Sequence, residues 1–355
     1  MLNKARFSRV LFVTVLCFSA AGVFAQQSAS PAQPPSNQIV LDVVVTPKSG
    51  PPVPDLQQQD FTLLDNKSPQ PITSFKAVPG REAPAEIIIV IDAVNTGYRT
   101  LSIERTQLGK FLRAEGGHLA YPIALTVFTD KGIQVLGNFS SEGNALGDTL
   151  DHSEIGLRDL TRAAGFYGAE ERLQLSLRVF GQLAESESRR PGRKIMLWVS
   201  PGWPLLSGPR VELDSKQQAQ IFSDIVRLST QLQSAGVTVY NVNPLGSNEA
   251  LLRTSNYKNF LKGVSKPNQV LLGNLGLQVF ATQSGGLVLD LNNDVASLLQ
   301  QCISDIAPYY EISFAAPAAE RPDEYHHLEI RIDKPGLTAR TRQGYYAQPQ
   351  PAPRS

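Results

Sequence analysis

Hydrophobic positions along the chain change their period twice. Residues 39–78 carry extended runs at 39–46, 61–64 and 72–78, with the turn Lys48-Ser49-Gly50-Pro51-Pro52 between the first two and no helical period. From Glu86 to about Ile306, strand-like runs alternate with helical stripes. Strands are expected at 86–92, 123–129, 133–136, 194–199, 237–242 and 287–290. Leu173, Leu177, Phe180 and Ala184 repeat at four, three and four, as do Ile221, Ile225, Leu228 and Leu232. Val295, Leu298, Leu299, Cys302 and Ile306 form a last stripe. Extended runs then return at 310–314, 327–332 and 339–345.

The densest run is Ile87-Ile88-Ile89-Val90-Ile91, which stops at Asp92-Ala93-Val94-Asn95-Thr96. A strand apolar on both faces belongs in the middle of a parallel sheet, and such sheets hold their sites beyond the carboxyl ends of their strands. Strand–helix alternation predicts a sheet sandwiched between helix layers. The extended zones at the two ends are each too small to enclose a core, so they are expected to meet as one small β-sandwich.

Residues 1–25 have the build of a secretory signal. Lys4, Arg6 and Arg9 precede an apolar middle, and Val23-Phe24-Ala25 reads as a cleavage site. Cleavage would remove three positive charges and no negative ones, taking the net charge from +1 to −2. That gives no electrostatic footprint for nucleic acid or an anionic membrane, and no second long apolar run suggests stable membrane insertion. Of two cysteines only Cys302 would remain, so no internal disulfide is expected. The expected organisation is a signal at 1–25, a linker at 26–37, sandwich halves at 38–82 and 308–347, the α/β domain at 83–307 and a tail at 348–355.

The order and spacing of several short motifs carry a resemblance. At the front stand Leu41-Asp42-Val43-Val44-Val45, Gly50, Asp60-Phe61 and Gln70-Pro71-Ile72. Asp92 to Thr96 and Pro191-Gly192-Arg193-Lys194-Ile195-Met196-Leu197-Trp198-Val199-Ser200 fill the middle. Thr282-Gln283-Ser284-Gly285-Gly286, Tyr309-Tyr310 and Arg342-Gln343-Gly344-Tyr345-Tyr346 close the chain. With these the chain resembles the VWFA-related domain proteins described from Acidobacteria, in the branch with Asn-Thr after the first strand. The resemblance covers nearly all of the chain after its signal. It implies an α/β fold: a Rossmann-like, three-layer von Willebrand factor A domain with a small β-sandwich built from both chain ends.

Many such domains hold Mg²⁺ or Mn²⁺ at their strand ends through Asp-x-Ser-x-Ser, a Thr and a second Asp. A hard dication prefers six oxygens, which short side chains on rigid loops supply. Here the resemblance implies a degenerate metal set of Asp92, Asn95, Thr96 and Ser200, with Thr161 as a candidate second-loop ligand. Val94 stands where the first Ser would be, and Ser200-Pro201-Gly202 replaces the third-loop acid. The bland alternative is that Asp92 and Asn95 cap the following turn.

Catalytic constellations are not legible. There is no Gly-x-Ser-x-Gly and no phosphate loop, and Cys302 sits on an apolar stripe. His326-His327 should place one ring in and one out. Asp294 should cap the helix from Val295. Trp203, Leu205 and Leu206, on a proline-stiffened loop, are candidate anchors for a partner, with burial of Trp203 at the sheet edge as the rival. The expected function is an exported, non-enzymatic module that grips a protein or peptide through its strand-end loops, in the periplasm or outside the cell. The alternatives are an envelope component binding through the sandwich and a metal-dependent hydrolase.

Overall fold

The computed structural model describes residues 37–80, 85–153, 165–204, 212–246 and 257–349. The expected signal, nearly all of the linker and most of the tail lie outside them, as do Thr161, Leu205 and Leu206. The first strands are β1 (Gln38–Pro47), β2 (Phe61–Asp65), β3 (Ser68–Gln70) and β4 (Ser74–Val78). The α/β part runs β5 (Ala85–Asp92), α1 (Tyr98–Leu112), β6 (His118–Thr129), β7 (Gly132–Val135), β8 (Ser140–Glu142), α2 (Gly143–His152), α3 (Gly165–Ser188) and β9 (Arg193–Val199). It continues α4 (Ser215–Ser234), β10 (Val237–Val242), α5 (Leu277–Gln283), β11 (Val288–Leu289) and α6 (Val295–Asp305). Last come β12 (Tyr309–Ala315), β13 (Glu324–Ile332), β14 (Leu337–Arg340) and β15 (Gly344–Ala347).

The central sheet has the order β11-β10-β9-β5-β6-β7, parallel except for β7, with β8 also paired to β6. The apolar run of β5 is buried on both faces. Ile88 and Val90 pack with the stripes of α3 and α4 and with Phe280 of α5. Ile87, Ile89 and Ile91 pack with Leu101 and Leu108 of α1, Leu146 of α2 and Leu298 and Cys302 of α6. Each of these strand side chains contributes about 1.5–3 kcal/mol by leaving water. This is the three-layer, Rossmann-like von Willebrand factor A arrangement. Among the described residues no helix is long and apolar enough to cross a membrane.

Strands from both chain ends build two four-stranded sheets, β14-β1-β12-β4 and β15-β13-β2-β3. They close over one core, with Leu41, Val43, Ile312 and Phe314 on one side and Phe61, Leu63, Leu328 and Tyr345 on the other. Within it Asp65, 2% exposed, accepts from Tyr345 Oη at 2.6 Å and contacts His326 Nδ1 at 2.8 Å. As expected, His326 is buried and His327 exposed. Asp294 accepts from Ser297 N at 3.2 Å and caps α6.

The single strand expected at 339–345 is corrected to two, β14 and β15. They belong to different sheets, and Thr341-Arg342-Gln343 crosses between them. Gly285 permits that crossover. Its φ is +90°, and a Cβ there would lie 2.8 Å from the Thr341 carbonyl carbon.

Candidate functional site

Chain order reverses at β5: β6 lies on one side of it and β9 on the other. The carboxyl ends of β5 and β9 therefore form the switch point of the sheet, where open α/β folds place their crevice. Asp92 ends β5, and Ser200 follows β9. The structure brings Asp92, Asn95, Thr96 and Ser200 together there, as the sequence anticipated.

Asp92 is 0% exposed, and both its oxygens are occupied by protein donors. Oδ1 accepts from Val94 N at 3.1 Å and Asn95 N at 2.8 Å. Oδ2 accepts from Asn95 Nδ2 at 2.9 Å, Trp198 Nε1 at 3.0 Å and Ser200 Oγ at 2.9 Å. Ser200 Oγ in turn accepts from Gly202 N at 3.1 Å. Asn241, on neighbouring β10, donates to the Ser200 carbonyl at 2.9 Å and fixes that loop from below. Asn95 Nδ2 also reaches Ser176 Oγ on α3 at 3.0 Å. The reading of Asp92 as the cap of the turn matches these bonds, whereas the Asn95 side chain donates to Asp92 and Ser176 and caps no backbone N–H among the described residues.

A second acid lies beneath the loop. Glu104 of α1 is 2% exposed, faces the Thr96 hydroxyl and feels the charge of Asp92. Burial, and then the Asp92 charge, hold its carboxyl well above the usual glutamate range, against the pull of Thr96. Burial raises Asp92 too, against hydrogen bonds from Asn95, Trp198 and Ser200. The two carboxyls form a coupled pair that resists a second negative charge.

These residues do not fit Mg²⁺ or Mn²⁺. Five donor groups point positive hydrogens at the Asp92 carboxylate, where a cation would need its lone pairs. The indole N–H of Trp198 is a donor with no lone pair to offer a metal, and Val94 has no oxygen. The low charge favoured at Glu104 weakens any attraction further.

The expectation that Trp203 anchors a partner is corrected. The ring is 2% exposed and lies in the core, 5.5 Å from Trp198 and 5.2 Å from Phe180 in edge-on contacts. Gly202, at φ +103°, turns the chain inward, and a Cβ there would sit 2.2 Å from Gln278 Nε2. Sequence reasoning missed Glu104, Trp198 Nε1, Ser176 and Asn241. For Glu104 a signal existed, because Leu101, Glu104, Leu108 and Phe111 share one helical stripe. Among the described residues no group of three or more His, Cys, Asp or Glu side chains is placed to hold a metal.

No protein-family model matches the chain, and no curated protein matches it. Among solved structures, it is similar to the human COPII-coat protein Sec24c at 10% identity and a TM-score of 0.35, covering 78% of this chain and 44% of that one. Proximal thread matrix protein 1 from the mussel byssus matches at 13% identity and a TM-score of 0.36, covering 68% and 51%. The SpRpn10 VWA domain matches at 12% identity and a TM-score of 0.30, covering 63% and 98%. The chain thus spans about half the length of the first two proteins. Its fold assignment rests on its own sheet order and helix layers.

Proposed function

We propose that this chain is a non-enzymatic protein-binding module that takes its partner on the face formed by the carboxyl ends of the parallel strands. The observation that carries the reading is a sealed polar centre ringed by exposed apolar side chains. Tyr98, 60% exposed, opens α1 directly after the β5 turn, and Leu291, 75% exposed, follows β11. Tyr167, 82% exposed, lies in the first turn of α3, whose far end leads into β9 at the opposite side of the sheet. Exposed aromatic and leucine side chains on a rigid sheet scaffold suit contact with a protein or peptide surface. The Asp92 carboxylate is fully occupied and burial pushes the Cys302 thiol well up, so neither supports a hydrolase.

The signal-like segment at 1–25 supports export to the periplasm or beyond. The ordered motifs support membership of the VWFA-related branch described from Acidobacteria. The test is site-specific photo-crosslinking from positions 98 and 291, with position 67 on the β2–β3 turn as comparison, in the native host. Crosslinks to a common protein from 98 and 291 support the reading. Crosslinks from position 67 alone would replace it with binding through the sandwich.

A further inference from the structure

At the other end of the sheet, the sandwich meets the amino ends of β9 and β10 across a cleft of about 480 Å³. That volume falls within the range of small-molecule sites. Its walls carry five cations, Lys76, Arg190, Arg193, Lys194 and Arg342, against two acids, Asp42 and Glu311. Two of the five are matched. Arg190 pairs with Glu86 at 2.5 Å, and Arg193 with Asp42 at 2.9 Å. Lys76 stands directly across from Glu311 in the β4–β12 ladder.

Lys76 is exposed and forms no ion pair among the described residues, and two more deeply placed cations are left. Lys194, 2% exposed, donates to the carbonyls of Ala235, at 2.9 Å, and Arg190, and forms no ion pair among the described residues. Arg342 is half-buried and donates no hydrogen bond to a described residue. Burial pushes its guanidinium down to about 10, against the pull of Asp42 and Tyr325. A cation partly withdrawn from water and without hydrogen-bonded partners in the protein is favoured by an incoming anion. Beside it the Thr341 hydroxyl is buried and also has no partner among the described residues. Both residues ride on the crossover held by Gly285 and by the bond from Gln343 N to Gln283 O at 3.0 Å, so their positions are preset.

We propose that this cleft binds a small organic anion through one carboxylate or phosphate group, held by Arg342 and Thr341; Arg193 is already engaged by Asp42, the Ile306 carbonyl and the Tyr309 ring. Asp42 also acts on Arg342, which limits the site to a single anionic group. Val40 and Pro191 on the same walls suit an apolar body attached to it. The proposal is independent of the strand-end reading, because the two sites lie at opposite ends of the sheet.

The experiment is thermal unfolding of the full chain at low salt with benzoate, phenyl phosphate or inorganic phosphate, and with benzamide and phenol as neutral controls. A ligand that binds only the folded state raises the melting temperature. The expected result is a rise of a few degrees with benzoate or phenyl phosphate. The neutral controls should give none, and Arg342→Gln should abolish it. Thr341→Val, which keeps the charge, should reduce the rise, and it decides the matter if Arg342→Gln does not unfold cooperatively. The proposal is overturned if neither organic anion exceeds its neutral control, if inorganic phosphate alone acts, or if the rise survives in both variants.

Discussion

Replacing Glu104 with Gln tests the electrostatics beneath the strand-end loop. The substitution keeps the side-chain shape and an acceptor toward Thr96 while removing the ionisable group. In the fold, burial and Asp92 hold the Glu104 carboxyl well above the ordinary value of 4.5. As pH rises past that value the unfolded chain releases its proton first, so the folded state binds more protons. Stability is therefore full below about pH 4.5 and falls as pH climbs toward the folded pKa, by about 1.4 kcal/mol per unit. Asp92, Asp42 and Glu187 are raised in the same direction, so the variant keeps some slope of its own. The diagnostic is the difference between variant and wild type, measured by urea unfolding at steps from about pH 4 to pH 8. Glu104→Gln should match wild type near the acid end and become progressively more stable above it. A difference that stays constant with pH would refute the assignment of a buried, proton-holding Glu104.

Trp203→Ala should lower the unfolding free energy by about 3–5 kcal/mol, the cost of emptying a core aromatic site. A loss below about 1 kcal/mol would return the ring to the surface. Adding millimolar Mg²⁺ or Mn²⁺ to wild type should leave its melting temperature unchanged, and a rise that Asp92→Ala abolishes would overturn the argument from the donors around that carboxylate. Asp65→Ala strands the Tyr345 hydroxyl and the His326 ring inside the sandwich, and should cost about 2–4 kcal/mol by urea unfolding.

Periodicity revealed most of the scaffold because burial on both faces of β5 and on one stripe of each helix leaves a direct mark on residue order. It placed Asp92, Asn95 and Thr96 at the end of β5, and the family resemblance added Ser200. It could not reveal the bond from Trp198 to Asp92, which joins residues 106 positions apart and has no local signature. The same limit explains β14 and β15: alternation shows that a run is extended but not which sheet it joins. Trp203 stays open in the sequence between anchor and buried ring for another reason. A proline-rich loop reads as surface, whereas the left-handed turn at Gly202 sends the next side chain into the core.

The pairing of the two chain ends in one sandwich bears on the order of folding. Leu56 N meets Tyr310 Oη at a separation of 254 residues, and Asp65 meets His326 at 261. Closing a loop that long from a disordered chain is slow, and its entropic cost must be met before any contact compensates. Here β5 and α6 of the intervening segment share one core, which brings residues 85 and 305 to a common framework. Once that segment is compact, only short tethers separate the two halves. The α/β layers thus offer a template for the sandwich, because β1, β2 and β4 take their long-range partners from β12, β13 and β14 on the far side of that segment.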